Sequence, residues 1–359
     1  MIFRSALKKV DQRLNYPLST LMQRYRAVDS AFREQVQTQV RLSRLWLAEL
    51  RRRQTYRGAQ FDIRPHRTVV ERINSDGFVI IKDAVDKSIL LDIKRELEEH
   101  VRFGTCLGRI SKDSLRSHTD LGGPTVFLDA EEVLKGQDYY KHHTNNVQVN
   151  EPLLNCPSVV KIVFNDLLID IAAGYLRCFP AVGTLNLRRS FANNLPELDT
   201  NLFHSDQNSP KFLKFFFYLN DVDENGGPFC YVRGSHKNKF KGWTSKYRWT
   251  LDEIVAIYGE DKIVKLTANL GDMIVADTTG FHRGAKARSA DRSMLTVDYV
   301  IHPEYWTKLP HAKIGSLHYR QLTDKQKAAA DFLEVVDSNI HMISLMEQNV
   351  LSKKADGRE

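Results

Sequence analysis

The sequence predicts an all-β core of sandwich or barrel type, flanked by helices and preceded by a helical N-terminal extension, an α+β chain. Three observations carry this. Between residues 183 and 301, short runs rich in β-branched and aromatic residues follow one another. Turn clusters separate them, such as Asp223-Glu224-Asn225-Gly226-Gly227-Pro228 and Leu270-Gly271-Asp272, and many short strands between Gly/Pro turns suit a sandwich or barrel. Outside that region the apolar residues recur with a helical period. The chain has 359 residues, enough for one large domain with an appendage or for two. Its 42 % hydrophobic and 27 % charged residues argue against disorder through most of it.

Residues 1–60 hold one proline, Pro17, and one glycine, Gly58. From Ser30 to Arg53 good helix formers dominate. Phe32, Val36, Val40, Leu47 and Leu50 fall on one side of a helix; Ser43 interrupts the stripe, and Leu42 and Trp46 widen it. Arg51, Arg52 and Arg53 suit a helix C-terminus. Such a helix packs on the body or on a second subunit. A basic amphipathic helix also suits a weak contact with a membrane surface or an acidic protein. The charge is unevenly placed: 13 Lys/Arg against 4 Asp/Glu in these residues leave the other 299 with a net charge of −1. The basic balance therefore belongs to the extension, and no nucleic acid is expected as a partner of the body.

The polar, irregular stretch from Tyr56 to Pro65 sets a boundary, giving an extension at 1–65, a β-rich domain at 66–310 and C-terminal helices with a charged tail at 311–359. The domain opens with a helix end, an Asp76-Gly77 turn and a strand from Phe78 to Ile81. Asp86 is placed to cap a helix whose apolar positions are Ile89, Leu90, Ile93 and Leu97. Residues 103–155 are polar and aperiodic, with a break at Gly122-Gly123-Pro124, and long irregular stretches of this kind often form lids or binding loops. Pro157 to Leu176 reads as helix. Strands are expected at 184–190, 212–219, 229–232, 263–267, 273–275 and 293–301, and one or two helices from Leu322 to Leu351. Cys106, Cys156, Cys178 and Cys230 form no CxxC pair, so buried thiols in a reducing compartment are expected. With charge reached early after Met1 and no apolar run near 20 residues, the expected location is the cytoplasm.

The sharpest local feature is Phe203-His204-Ser205-Asp206. In an extended segment, residues two apart point to the same side, so an imidazole and a carboxylate converge. They are two thirds of a 2-His-1-carboxylate facial triad, which leaves positions open on Fe(II) for a cosubstrate and O2. An H-x-D triplet alone is common in solvated turns; its context is what counts here. His282 follows 78 residues later, after a strand and a turn containing Gly280. Arg292 opens the next strand and shares a face with Met294 and Thr296. Its planar fork suits the distal carboxylate of a dicarboxylate such as 2-oxoglutarate.

These residues, and the stretch from about Ile73 to Trp306, resemble the phytanoyl-CoA dioxygenase family. The segment from Asp76 to Val85 looks like its opening strand, and Phe203 to Gln207 its H-x-D box. Phe215 to Phe229, with Val232-Arg233-Gly234-Ser235-His236-Lys237, resembles its strand, turn and Gly-Ser-His element. Leu270-Gly271-Asp272 and Gly280-Phe281-His282-Arg283-Gly284 match its distal histidine region. The resemblance implies a double-stranded β-helix, a cupin-like jelly roll. It also implies Fe(II) on His204, Asp206 and His282, 2-oxoglutarate on Arg292 with lesser contacts from Asn186 and Asn146, and O2 as co-reactant. The implied reaction hydroxylates an unactivated C–H of a small molecule, with release of succinate and CO2. Related halogenases replace the aspartate with a small residue, so Asp206 argues for hydroxylation, with desaturation or ring chemistry as variants. The alternative is a non-catalytic jelly-roll module that binds a small molecule and keeps a vestigial metal site. Neither the substrate nor the oligomeric state follows from the sequence.

Other residues read as structural. His236 shapes the turn after a strand. His142 and His143, being adjacent, are taken as solvated loop residues. The run from Phe215 to Tyr218 alternates between core faces, with Phe216 or Phe217 as a wall of the site. Lys211, Lys214 and Arg188 are expected at the solvated surface, or against an anionic substrate.

Overall fold

The structure, a computed structural model, describes residues 64–102, 106–108, 141, 144–197, 199–206, 211–301 and 312–337. The basic extension and its apolar stripe lie outside the described residues. So do the break at Gly122-Gly123-Pro124, His142, His143 and the tail beyond residue 337.

Helix α1 (Arg67–Asp76) stops at Gly77, whose φ of 92° is left-handed and whose N–H returns to the Ile73 carbonyl. Strand β1 (Phe78–Ile81) follows, as the Asp76-Gly77 turn predicts. Helix α2 (Lys87–Arg102) starts where Asp86 accepts the Ser88 N–H at 2.8 Å. That bond holds the Asp86 carboxyl below its usual value. Leu90, Ile93 and Leu97 are fully buried beneath α2, as their spacing requires.

Strands β2 (Cys106–Gly108) and β3 (Asn146–Val149) and the short helix α3 (Pro152–Asn155) lie where the sequence shows no period. The apolar stretch 157–176 is two helices, α4 (Pro157–Val163) and α5 (Asp166–Leu176), not one. Asn165 divides them: its extended backbone and side chain, which accepts the Leu167 N–H, cap the second.

The remaining strands are β4 (Ala181–Ser190), β5 (Phe212–Tyr218), β6 (Phe229–Val232), β7 (Ile263–Leu266), β8 (Met273–Ala276), β9 (His282–Gly284) and β10 (Arg292–Val300). Helix α6 (Leu251–Tyr258), absent from the sequence expectation, starts at a capping box of Thr250 and Glu253. The larger sheet runs β1-β8-β5-β10-β4-β3-β2, and the smaller β7-β6-β9, both antiparallel throughout. From β5 to β10 the chain passes back and forth between them: β5 in the larger, β6 and β7 in the smaller, β8 in the larger, β9 in the smaller and β10 in the larger. This is the double-stranded β-helix that the resemblance implies.

The strand period of two sets the core. Leu213, Phe215, Phe217, Leu295, Val297 and Tyr299 face the helices and pack with Leu168, Ile171 and Val159. Phe216, Tyr218, Ile274 and Met294 face the smaller sheet and pack with Phe229 and Tyr231. Burying each such side chain contributes about 2–3 kcal/mol. The run Phe215–Tyr218 thus serves both layers, and Phe216, not Phe217, is on the site side.

The C-terminal region differs from expectation. After α7 (Ser316–Gln321) and α8 (Asp324–Ala329), the chain forms a strand at Leu333–Val336, parallel to Ala312–Gly315. Val335 and Val336 favour that extended form, and pairing satisfies backbone groups that a helix would satisfy internally. Among the described residues no helix is long and apolar enough to cross a membrane.

Candidate metal centre and cosubstrate site

The two histidines form one cross-strand pair. His204 N–H donates to the His282 carbonyl and His282 N–H to the His204 carbonyl, each at 2.9 Å. In an antiparallel pair, directly opposed side chains emerge on the same side, so the imidazoles meet, with ring centroids 4.2 Å apart. Asp206, two residues on, is held by its N–H to the Thr278 carbonyl at 2.9 Å. Its carboxylate then faces both rings: Oδ1 is 3.6 Å from His204 Nε2 and Oδ2 is 3.5 Å from His282 Nε2. One ligand atom from each residue lies within 4.8 Å of the others.

Each imidazole is oriented by its far nitrogen. His204 Nδ1 lies 2.9 Å from the Leu202 carbonyl and His282 Nδ1 2.9 Å from the Gly280 carbonyl. A carbonyl accepts only, so Nδ1 carries the proton and Nε2 turns a lone pair toward the shared point. Burial, then the neighbouring His204, pushes His282 well below the usual histidine range, which keeps it neutral as a ligand must be. Burial alone would raise Asp206; Lys214, His282 and His204 outweigh it and hold the carboxyl well below the usual carboxylate range. Two imidazoles with Nε2 turned to one point, beside one carboxylate, fit a divalent cation with open positions.

The turn before His282 is braced from three sides. Ser235 Oγ, fully buried, accepts the Phe281 N–H at 2.7 Å. Tyr231 Oη donates to the Asp277 carbonyl at 2.7 Å, and Asp277 Oδ1 accepts the Thr279 N–H and hydroxyl. Lys239 Nζ donates to Ser205 Oγ at 3.1 Å and to the Thr279 carbonyl. Burial brings the Lys239 ammonium down to about 7. The Gly-Ser-His element thus acts on the site through Ser235. His236, whose Nε2 lies 3.2 Å from the Asn74 carbonyl, supports the turn as its position suggests.

Arg292 stands at the other end of the same face. It is buried, its Nη2 donates to Ser190 Oγ at 3.2 Å and its Nη1 to the Gly227 carbonyl. Its Nε has no acceptor, and no carboxylate pairs with it, among the described residues. A buried guanidinium without a counter-charge is costly, and the arrangement fits an incoming carboxylate. Gly284 keeps the approach clear: a Cβ there would stand 3.3 Å from Arg292 Nη2. Asn146, opposite Ser190 in the β3–β4 register, lines a narrow cavity with Arg188, Ser190, Thr200 and Arg292. Asn186 is opposite Thr296, on the face of β4 that also carries Arg188 and Ser190. Phe216 stacks near Phe229 (4.3 Å), whose ring is 5.4 Å from His282, so an apolar wall adjoins the metal site.

Lys214 corrects the surface reading. Its Nζ lies 3.0 Å from Asp206 Oδ2 and 3.4 Å from Asp298 Oδ2, with its side chain only 14 % exposed. The signal was present in the strand period, because Lys214 shares a face with Phe216 and Tyr218. Arg188 also faces inward, opposite Gln148 and Met294. Lys211 is not simply solvated either: its Nζ donates to the Tyr175 carbonyl at 2.7 Å and lies over that ring.

No curated protein matches the chain. Among solved structures, the non-heme alpha-ketoglutarate-dependent epimerase SnoN of nogalamycin biosynthesis is similar at 15 % identity, with 67 % of this chain and 84 % of that chain covered and a TM-score of 0.47. EctD from S. alaskensis, solved with 2-oxoglutarate and 5-hydroxyectoine, is similar at 15 % identity, with 65 % and 75 % covered and a TM-score of 0.42. HygX from Streptomyces hygroscopicus, with nickel, 2-oxoglutarate and hygromycin B bound, is similar at 14 % identity, with 76 % and 98 % covered and a TM-score of 0.42. The family model for phytanoyl-CoA dioxygenase matches residues 73–294, more than half of the sequence, and the chain belongs to that family.

Proposed function

We propose that the chain is an Fe(II)- and 2-oxoglutarate-dependent dioxygenase that hydroxylates an unactivated C–H of a small molecule and releases succinate and CO2. The observation that carries this reading is the convergence of His204, Asp206 and His282, each ring oriented by a backbone carbonyl. Family membership supports it.

His204 Nε2, His282 Nε2 and one Asp206 oxygen would hold the metal. When bound, Fe(II) supplies the activation of O2 that couples decarboxylation of 2-oxoglutarate to oxidation of the substrate. Arg292 receives the distal carboxylate of 2-oxoglutarate, beside the Ser190 hydroxyl, and that anion balances a buried charge that no carboxylate among the described residues pairs with. Asn146 and Asn186 are the amides we assign as lesser contacts. Phe216 and Phe229 keep water from the metal's flank. The intact Asp206 carboxylate supports hydroxylation.

The test is an anaerobic titration of metal-free protein with Fe(II) and 2-oxoglutarate, following the visible charge-transfer band of the chelate. The band is expected in the wild type, absent in His204→Ala and weakened in Arg292→Ala. Asp206→Ala is expected to abolish succinate formation. A folded wild type without the band, or an Asp206→Ala protein of full activity, overturns the reading.

A further inference from the structure

The face of the larger sheet that looks toward the metal ligands carries a cation where a hydrophobe would be the ordinary choice. Lys214 of β5 lies opposite Asp298 of β10 and Ala276 of β8. Asp298 is 1 % exposed, and its Oδ2 meets both Lys214 Nζ and the Thr184 hydroxyl, the latter at 3.1 Å. Lys214 Nζ also lies 3.0 Å from Asp206 Oδ2. Three neighbouring strands therefore turn a part-buried lysine, a buried aspartate and a threonine toward one oxygen of one candidate metal ligand. Holding a part-buried cation beside a site for a divalent cation costs energy through repulsion, and Asp298 supplies the offsetting charge.

The arrangement bears on how Asp206 binds. A carboxylate coordinates through one oxygen or through both. With two histidines, one-oxygen binding leaves three positions on a six-coordinate metal, enough for a bidentate 2-oxo acid and O2. Binding through both oxygens would take one of the three. Oδ1 faces His204 Nε2 at 3.6 Å and Oδ2 faces His282 Nε2 at 3.5 Å, but only Oδ2 also carries an ammonium, which takes one of its two lone pairs and draws its charge away from a metal.

We infer that Lys214 is a positioning residue that restricts Asp206 to one-oxygen coordination, and that Asp298 holds Lys214 in place for that task. The inference rests on the proposed metal and 2-oxoglutarate chemistry.

Co(II) replaces Fe(II) in the test, because its visible bands report coordination number without turnover. Wild type is compared with the charge-neutral pair Lys214→Met/Asp298→Asn and with Lys214→Arg, which keeps a donor on Oδ2. The pair variant is expected to bind Co(II), to show an altered band pattern and to lose about tenfold or more in 2-oxoglutarate affinity. Lys214→Arg is expected to restore the wild-type bands and to bind 2-oxoglutarate within about threefold of wild type. Lys214→Leu/Asp298→Asn, which likewise leaves no residue-214 donor on Oδ2, takes the place of that pair variant if it does not fold, with the same outcomes. Wild-type bands and wild-type 2-oxoglutarate affinity in the charge-removed variant overturn the inference and leave the function standing. A wild-type protein whose Co(II) bands ignore 2-oxoglutarate overturns the function, and the inference with it.

Discussion

Arg292 is 4 % exposed, and neither of its acceptors, the Gly227 carbonyl and Ser190 Oγ, carries a charge to balance the guanidinium. Burial pushes its pKa down from the usual arginine value. Sites built to receive a ligand commonly hold such unbalanced groups at the expense of stability. Arg292→Met removes the buried charge, and the lost hydrogen bonds cost about 1 kcal/mol each. The metal-free variant is therefore expected to be at least as stable as wild type, with a gain on the order of 1 kcal/mol. Added 2-oxoglutarate should no longer raise its melting temperature. Denaturant unfolding with and without 2-oxoglutarate checks both points. A variant destabilised by about 2 kcal/mol or more would mean that the guanidinium is a structural strut.

At the level of elements, the site depends on a short turn. Residues 277–281 deliver His282 into β9, and Ser235, from the loop after β6, accepts the Phe281 N–H within a buried environment. Ser235→Ala leaves that N–H without an acceptor, a cost of about 1–3 kcal/mol. It also frees the turn that aims His282. We expect a lower melting temperature and a metal affinity weakened by about tenfold, measured by Mn(II) titration. Loss of stability with unchanged metal affinity would show that Ser235 braces the fold alone. The same elements show what was legible. The H-x-D box, His282 and Arg292 could be placed because strand alternation is a local rule and each lies next to a strong strand. Lys214 was misplaced although its neighbours Phe216 and Tyr218 fix its face, because composition alone reads a lysine as solvated. Strands β3 and β9 were invisible: four and three residues long, they carry no period of their own and exist through pairing with β4 and β6. The strand at 333–336 was hidden likewise, since its partner, Ala312–Gly315, is distant in sequence. Ser190, Gly227 and Ser235 act through contacts between segments that only the folded chain brings together.

For the molecule as a whole, the three candidate ligands sit on segments paired with the smaller sheet, and Lys214 joins them to the larger one. His282 belongs to β9 of the smaller sheet, His204 is bridged to it, and Asp206 is held by Lys214 from the larger sheet. A cation bound by all three residues would pin residues 203–206 to β9, whereas α4 and α5 pack on the opposite face of the larger sheet. Binding to the folded state alone stabilises it by mass action, about 2.7 kcal/mol at a metal concentration 100 times Kd. In a domain of this size, that shifts the melting temperature by several degrees. Mn(II) is expected to raise the melting temperature, EDTA to reverse the rise, and His204→Ala to respond to neither. Hydrogen exchange should locate the effect. Amides of β9 and of residues 203–206 should slow most on adding Mn(II), because opening there must first release the metal. Amides of α4 and α5 should slow only as far as global unfolding limits them. Protection that rises first in the helices, or a His204→Ala protein that gains as much as wild type, would place the cation elsewhere and remove the structural basis of the metal assignment.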